Sequence, residues 1–233
     1  MCHNPTMPKG GPAGKPKQVA NRKSVKWPLP GPLPPNTMRG HLPACILLAA
    51  INTYFPDLVA QKTGDVLYNR FVGESQPRVT SNAWRGLVSY QFGPRFYPAA
   101  PMEDELYTLY EKVCGVLNRH ALPRERLGLL VTAYVGKGGG LRKNDGLSFH
   151  KDDEPMMDRS HQVVMVTVAA EGHNQSSRQL TLQTDTTNHH VELASGTAFC
   201  ADLCNITHGV KFGAKNAGQR WYTFTWRVLK TPQ

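Results

Sequence analysis

The stretch His150-Lys151-Asp152-Asp153-Glu154-Pro155 provides the strongest indication of the fold of this chain. It places an imidazole and a carboxylate two residues apart, and in an extended strand residues i and i+2 project from the same face. Both side chains can then reach one metal ion and leave part of its coordination sphere open. Two histidines and one carboxylate with open positions suit non-haem Fe(II) and its oxygen chemistry. The interpretation depends on whether a second histidine completes the set.

A histidine two residues before a carboxylate is a weak signal by itself. With 9 His and 17 acidic residues in 233, about one such pair is expected by chance. A second pair does occur, His190-Val191-Glu192. A lone histidine near a carboxylate is more often an ordinary surface or core pair than a metal ligand. The choice between the two pairs therefore depends on the segments that lie C-terminal to each of them.

Strand-like segments follow His150 and lead to a second histidine, His208, and then to Arg227. They are residues 163–168, 180–184, 191–202 and 221–229. This order predicts a jelly-roll, or double-stranded β-helix, whose strands cross the barrel and return the distal histidine to the first two ligands. Only one hairpin fits between Glu192 and His208, so the second pair is the poorer candidate. We predict a metal site of His150, Asp152 and His208.

Length and composition predict one catalytic domain with appendages. The predicted fold class is α+β, mainly β, with a jelly-roll core at 127–233 and a helical extension with a substrate lid at 36–126. Residues 1–35 hold six basic residues, no acidic residue and nine of the 18 prolines. Such a composition cannot pack a core and predicts a disordered basic tail.

Charge and cysteine usage narrow the class of partner and compartment. The net charge of +10 and pI of about 9.5 favour a polyanionic partner. Outside the tail, 21 basic face 17 acidic residues, so the remainder is only mildly basic. No segment is apolar enough for a membrane span or a secretory signal. Five cysteines, an odd number with irregular spacing, indicate reduced thiols and a cytoplasmic protein.

Zinc is a competing metal. Cys200 and Cys204 with His189 or His190 could hold it, but their spacing is not that of a zinc knuckle.

The segment before the predicted barrel contains two helix candidates and an aromatic region. Residues 42–55 form a compact apolar helix candidate, and 102–120 show amphipathic spacing expected of a helix on the outside of the barrel sheet. Between them, 77–101 are rich in aromatic and loop residues, including Trp84, Tyr90 and Phe92. These aromatics either pack as a hydrophobic flap over the barrel or form a lid that stacks an extruded base.

Alternation in the last strand separates an inward from an outward face. Trp221, Thr223, Thr225 and Arg227 should line the barrel, while Tyr222, Phe224, Trp226 and Val228 should pack under helices. Arg227 therefore points inward. Arg220 falls on the opposite face unless a bulge or the start of the strand intervenes.

From Leu130 to Arg227 the sequence resembles the AlkB family of Fe(II)- and 2-oxoglutarate-dependent nucleic-acid demethylases. The matching pieces are Thr132-Ala133-Tyr134, residues 147–155, Val191-Glu192-Leu193 with Gly196, residues 207–210 and residues 220–227. The Asp-Asp-Glu form after His150 is similar to the AlkB domains of some plant RNA viruses.

The resemblance implies an activity and its cofactors. Such an enzyme uses Fe(II) and 2-oxoglutarate to hydroxylate an N-methyl group on a flipped or single-stranded base. The hemiaminal product then loses formaldehyde, and 2-oxoglutarate becomes succinate and carbon dioxide. N1-methyladenine and N3-methylcytosine in RNA or single-stranded DNA are the implied substrates. The viral form of the motif favours RNA and a protein that acts in the host cytoplasm. We expect the protein to be a monomer.

The resemblance also implies roles for individual residues. His150, Asp152 and His208 match the catalytic metal ligands, Tyr134 matches a cosubstrate-binding tyrosine, and Thr132 replaces a usual Asn. Arg220 would hold the far carboxylate of 2-oxoglutarate, and Arg227 would lie near its iron-chelating end. The family pattern Arg-x-Asn-x-Thr-x-Arg has one residue fewer than this chain between the two arginines. Glu154 matches the carboxylate that faces the target base, with Trp84, Tyr90 and Phe92 beside the substrate.

Two alternatives stay open on the sequence alone. The barrel could oxidise a protein or a small molecule instead of a base. It could also be catalytically inactive, with the basic tail binding RNA electrostatically. Deleting residues 1–35 distinguishes an inactive barrel from an enzyme. RNA binding should vanish if the barrel is inactive, whereas turnover should largely persist if the protein is an enzyme.

Overall fold

The structure is a computed structural model that describes residues 33–60, 66–68, 77–92, 95–135, 146–170, 178–212 and 220–231. Nearly all of the predicted tail lies outside these ranges. The strands and α-helices, in chain order, are β1 (Met38–His41), α1 (Ala44–Tyr54), α2 (Pro56–Ala60), β2 (Val66–Tyr68), β3 (Pro77–Gly86), β4 (Tyr90–Phe92), β5 (Arg95–Tyr97), α3 (Asp104–Val116), β6 (Leu127–Val135), β7 (Gly146–His150), β8 (Val163–Ala169), β9 (Arg178–Gln183), β10 (Asn188–Leu193), β11 (Thr197–Ala201), β12 (Thr207–Phe212) and β13 (Arg220–Val228).

Two antiparallel sheets form the body of the molecule. The larger has the order β1-β11-β8-β13-β6-β3-β2 and the smaller the order β10-β9-β12-β7, while β4 and β5 pair only with each other. Apolar side chains from both sheets, among them Met165 of the larger and Leu180 and Leu182 of the smaller, share one buried cluster. Two sheets packed face to face in this strand order form a double-stranded β-helix, which confirms the predicted fold class.

Strand β13 runs through the larger sheet with both faces buried. Its residues Tyr222, Phe224, Trp226 and Val228 belong to a core that includes α1 and α3, whereas Thr223, Thr225 and Arg227 line a cavity between the sheets. The alternation therefore has the predicted direction. Pairing with β6 continues without a register shift from Arg220 opposite Val135 to Val228 opposite Leu127. Since no bulge changes the parity, Arg220 lies on the outward side.

The two predicted helices are present outside the larger sheet. Helix α1 begins directly after Pro43 and buries Leu47 and Ile51. Helix α3 carries two acidic residues in its first turn, where their negative charge interacts favourably with the helix dipole. It buries Leu106, Leu109, Tyr110, Val113 and Cys114. Both helices pack against the outward face of the large sheet. No helix within the described ranges has the length and apolar character needed to cross a bilayer.

Candidate metal centre and its cavity

Three predicted side chains converge where the smaller sheet meets the following loop. His150 ends β7 and lies directly opposite His208 of β12, so the two imidazoles share one face and their centroids are 4.3 Å apart. Asp152 follows in a loop that is fixed by a hydrogen bond from its backbone N–H to the carbonyl of Leu203, at 3.0 Å. One potential ligand atom from each side chain lies within 4.8 Å of the other two. Strand pairing thus builds the metal site that the sequence predicts.

No other group of three His, Cys, Asp or Glu side chains in the described part of the chain is close enough to hold a metal ion. In the second histidine–carboxylate pair, His190 Nδ1 lies 3.1 Å from the hydroxyl of Thr181, and Glu192 is exposed. Cys200 and Cys204 are buried free thiols. Neither the second pair nor the zinc alternative forms a site among these residues.

The protonation of the ligands suits metal binding. His208 Nδ1 lies 3.1 Å from the carbonyl oxygen of Ile206, so that N–H donates there and Nε2 keeps its lone pair. The Nε2 atoms of His150 and His208 lie 3.5 and 3.9 Å from Oδ1 of Asp152. Burial lowers the pKa of His208 to about 4. The imidazole is therefore neutral at neutral pH, and neutral imidazole is the form that binds a metal.

Arg227 supplies the counter-charge for the carboxylate ligand. Its Nη2 lies 3.0 Å from Asp152 Oδ1, and both side chains are almost fully buried. Burial alone would raise the pKa of Asp152, but the charge of Arg227 together with the contacts of His150 and His208 outweighs it and holds that pKa well below its usual range. Nε and Nη1 of Arg227 are buried with no hydrogen-bond partner among the described residues. Two donors therefore remain available beside the ligand carboxylate.

A second buried guanidinium, that of Arg178, lies in the same cavity. Its Nη1 donates to the hydroxyls of Thr167 and Thr223, at 2.9 and 3.3 Å. The guanidinium also lies over the rings of Tyr134 and Trp221, 4.8 and 5.3 Å from their centroids. Burial lowers its pKa to about 10, so it stays positively charged at neutral pH. A cation in this buried position can bind a carboxylate.

The guanidinium groups of the two arginines lie near different positions along β13. Arg178 bonds to Thr223, whereas Arg227 is four residues further along the strand and pairs with the metal-ligating carboxylate. Four residues of strand span roughly 13 Å. The cavity between the sheets contains both guanidinium groups together with the three candidate metal ligands. Such a cavity can accept an anion that reaches from the metal to a second positive charge.

The predicted cosubstrate residues divide into two groups. Thr132, Tyr134 and Arg227 line the cavity. Arg220 does not, because its Nη1 donates to the carbonyl of Val59 in α2. The structure therefore places Arg220 away from the cavity in which the family resemblance implies it, because the unbroken alternation of β13 turns it away from the barrel.

Arg178 was not predicted as a site residue, although one signal for it exists. Alternation along β9 puts Arg178 on the same face as Leu180 and Leu182, and all three are buried. A charge on the apolar face of a predicted strand is costly unless it is paired or functional.

The predicted substrate residues Trp84 and Tyr90 are buried, at 3% and 0% exposure, and stack on each other with centroids 4.5 Å apart. The Tyr90 hydroxyl donates to Oε1 of Glu154 at 2.6 Å. The side chain of Phe92 lies outside the described residues. Trp84 and Tyr90 thus pack as the hydrophobic alternative predicts, and neither is an exposed platform for a base.

Solved structures of known proteins resemble this architecture. A prolyl-4-hydroxylase from Pseudomonas putida superposes with a TM-score of 0.50 at 14% identity, over 83% of this chain and 91% of that one. The likeness shows that the chain shares the fold of that hydroxylase. An oxidoreductase of the 2OG-Fe(II) oxygenase family from Burkholderia pseudomallei gives a TM-score of 0.42 at 11% identity, over 77% of this chain and 78% of that one.

A third solved structure, hydroxypropylphosphonic acid epoxidase from S. wedmorenis, gives a TM-score of 0.29 at 8% identity, over 43% of each chain. No family model and no curated protein sequence matches this chain. The fold and the histidine–aspartate–histidine site together support the predicted Fe(II) and 2-oxoglutarate.

Proposed function

We propose that this protein is an Fe(II)- and 2-oxoglutarate-dependent dioxygenase that removes methyl groups from N-alkylated bases in RNA or single-stranded DNA. One observation carries the enzyme class: His150, Asp152 and His208 converge in a cavity that also contains the buried cation of Arg178. Two imidazoles and a carboxylate match the preference of non-haem iron, and three protein ligands leave positions open. The donor set therefore fits the metal.

Both cofactors have matching residues in the cavity. When bound, Fe(II) and 2-oxoglutarate activate dioxygen so that one of its oxygen atoms enters a C–H bond. Arg178 would bind the far carboxylate of 2-oxoglutarate, because a guanidinium donates paired, charge-assisted hydrogen bonds to a carboxylate. Thr167 and Thr223 orient Arg178 for this contact. Arg227 keeps Asp152 ionised and presents Nε and Nη1 near the metal-facing end.

The nucleic-acid substrate is supported by the sequence motif around the metal ligands and by the placement of Glu154. This residue lies two positions after Asp152, and Tyr90 holds one of its oxygens. Its Oε2 is buried with no hydrogen-bond partner among the described residues. A carboxylate oxygen there can accept a hydrogen bond from the amino group of N1-methyladenine or N3-methylcytosine. Oxidation of the methyl group would release formaldehyde, with succinate and carbon dioxide formed from 2-oxoglutarate.

The test is oligonucleotide-dependent succinate release by the purified full chain with Fe(II), 2-oxoglutarate and oxygen. RNA and single-stranded DNA oligonucleotides carrying N1-methyladenine or N3-methylcytosine should yield formaldehyde and succinate in equal amounts. Unmethylated oligonucleotides of the same sequence, and the His208→Ala variant, should yield neither above background. Only uncoupled turnover across all methylated oligonucleotides would exclude the base-demethylase proposal while leaving the dioxygenase class in place.

A second candidate is hydroxylation of a protein or small molecule. Two observations favour it: the stacked, buried state of Trp84 and Tyr90 and the likeness in fold to a prolyl-4-hydroxylase. Proline-rich peptides added to the same assay distinguish the candidates, because hydroxylation would raise peptide mass by one oxygen without formaldehyde.

A further inference from the structure

A buried aromatic stack connects the large sheet to the metal side of the cavity. It begins at Trp84 of β3, whose indole occupies the space above Gly86 and Gly128. A Cβ added to Gly128 would lie 2.1 Å from Trp84 Cη2, and one added to Gly86 would lie 2.7 Å from Cζ2. Trp84 Nε1 also donates to the carbonyl of Val88 at 2.8 Å. The indole is therefore fixed on both its face and its edge.

Tyr90 of β4 forms the next layer. Its ring lies nearly parallel to that of Trp84, with an interplanar angle of 15°. The guanidinium of Arg227 lies over the Tyr90 ring, 5.7 Å from its centroid. Stacking and cation–π contacts of this kind stabilise the relative positions of buried side chains. Tyr90 thus joins the indole on one side to the arginine on the other.

The position of Arg227 depends on this ring because its polar contacts are few. In the described residues only Nη2 is hydrogen-bonded, to Asp152 Oδ1 at 3.0 Å, while Nε and Nη1 have no partner. The ring of Tyr90 is therefore a main restraint on the rest of the guanidinium. Since Arg227 orients the carboxylate of Asp152, movement of the guanidinium would move a metal ligand.

The hydroxyl of the same tyrosine acts on a different group. It donates to Glu154 Oε1 at 2.6 Å, and burial raises the pKa of Tyr90 well above its usual value. The phenol therefore keeps its proton and remains a hydrogen-bond donor at all ordinary pH values. Tyr90 thus contacts Arg227, the partner of Asp152, through its ring. Through its hydroxyl it contacts Glu154, the residue proposed to bind the substrate base.

We infer that Tyr90 is a positioning residue whose ring sets the affinity of the metal site through Arg227 and Asp152, independently of its hydroxyl. This inference rests on the proposed metal centre and extends it to a residue that touches neither metal nor cosubstrate. It predicts that removing the ring lowers metal affinity in a protein that still folds, whereas removing the hydroxyl does not. A purely structural role for the tyrosine would change the stability of the fold and leave the metal affinity of the folded protein unchanged.

The experiment measures Co(II) affinity of the full chain by visible absorption, without any oligonucleotide. Tyr90→Met and Tyr90→Leu remove the ring, and Tyr90→Phe removes only the hydroxyl. Phe96→Leu is the matched control from the same hairpin, since Phe96 is 67% exposed and pairs with Gln91 on the other face. Mutating a residue that holds a metal ligand in place typically changes affinity by about 10–100-fold. We expect a loss in that range for the two ring-removing variants and less than about twofold for the other two.

Thermal unfolding of each metal-free variant shows whether a loss of affinity accompanies loss of the fold. Wild-type affinity in a folded ring-removing variant would overturn the inference. So would an equal loss in Tyr90→Phe, because the hydroxyl and not the ring would then be responsible. If both ring-removing variants are unfolded without metal, Tyr90→Phe decides: a weakened site overturns the inference and wild-type affinity supports it. None of these readouts uses a methylated substrate, so failure of the base-demethylase proposal would not produce the same result.

Discussion

The two buried arginines of the cavity differ in what surrounds their charge. Arg227 faces the carboxylate of Asp152 at 3.0 Å, so its charge is neutralised within the protein. Arg178 is hydrogen-bonded to the neutral hydroxyls of Thr167 and Thr223 and lies over two aromatic rings. Burial lowers the pKa of Arg178. Burial acts in the same direction on Arg227, but Asp152, Tyr90 and Glu154 together outweigh it and raise the pKa of Arg227.

This difference indicates two separate roles for the same side chain. At Arg227 the positive charge compensates a metal ligand, and its loss should affect stability and metal binding. At Arg178 the charge contacts two hydroxyls and two aromatic rings in the cavity, and its loss should affect binding of an anionic cosubstrate. Four experiments test whether the two arginines differ in this way.

The largest effect is expected for Asp152→Asn, which leaves Arg227 as an uncompensated buried charge. Removing one partner of a buried ion pair costs about 3–5 kcal/mol of unfolding free energy, and the metal site loses a ligand. Urea unfolding of the metal-free protein measures the first effect, and Co(II) titration measures the second. His208→Ala is the comparison variant, since it should abolish iron-dependent turnover while the ion pair remains. An Asp152→Asn protein as stable as wild type would show that Arg227 needs no counter-charge.

Acid should destabilise the metal-free protein through His208. Its pKa of about 4 in the folded state is below the value of about 6.5 in an unfolded chain. Between these values the unfolded state binds more protons, so stability falls as pH falls from 6.5 to 4. The loss from this group amounts to roughly 3 kcal/mol. Unfolding free energies measured across this range should show the loss in wild type, and His208→Ala should lack that component.

Arg178→Met should weaken 2-oxoglutarate binding without destabilising the fold. Two charge-assisted hydrogen bonds correspond to roughly 100-fold in the KM for 2-oxoglutarate, while an apolar chain of similar length fills the space. Arg220→Met is the matched control, because Arg220 lies outside the cavity and its KM should stay within about twofold of wild type. Steady-state succinate release at varied 2-oxoglutarate gives both values. A larger change in the KM for 2-oxoglutarate in Arg220→Met than in Arg178→Met would instead support Arg220 as the residue that binds the far carboxylate, as the sequence resemblance implies.

The smallest effect is expected for Tyr90→Phe in base recognition. Losing its hydrogen bond to Glu154 should raise the KM for a methylated oligonucleotide about tenfold. The KM for 2-oxoglutarate should not change, because Arg178 is untouched. Comparison of the two KM values in one assay tests this separation, with Phe96→Leu as the control. Equal changes in both constants would mean that the hydroxyl acts on the whole cavity.

Local patterns predicted the ligands and the strand that carries Arg227. The positions of His150 and Asp152 depend only on one strand and the loop after it, which a local pattern can predict. The two faces of β13 follow from the alternation of side chains along a strand. The prediction placed Thr223, Thr225 and Arg227 inward, where the structure has them. For Arg220 the same alternation predicts the outward side, where the structure has it, whereas the role implied by the resemblance would require a place inside the cavity.

Arg178 and the aromatic stack could not be predicted in the same way because they depend on distant strands. The hydroxyls that hold Arg178 come from β8 and β13, which are register partners at Thr167 and Thr223. Trp84 finds its space above Gly128, a residue of the neighbouring strand β6. Aromatic content alone does not distinguish a free lid from a packed stack, since this difference is decided by which glycines lie opposite.

The direct pairing of His150 with His208 has a consequence for folding. Because side chains alternate along a strand, a slip of one residue between β7 and β12 would turn one imidazole away from the other. A bound ion would then favour only the correctly aligned pairing, and it would stabilise the native chain in proportion to the logarithm of free metal concentration. Iron supply would in this way determine how much correctly folded protein persists, as well as how fast it turns over.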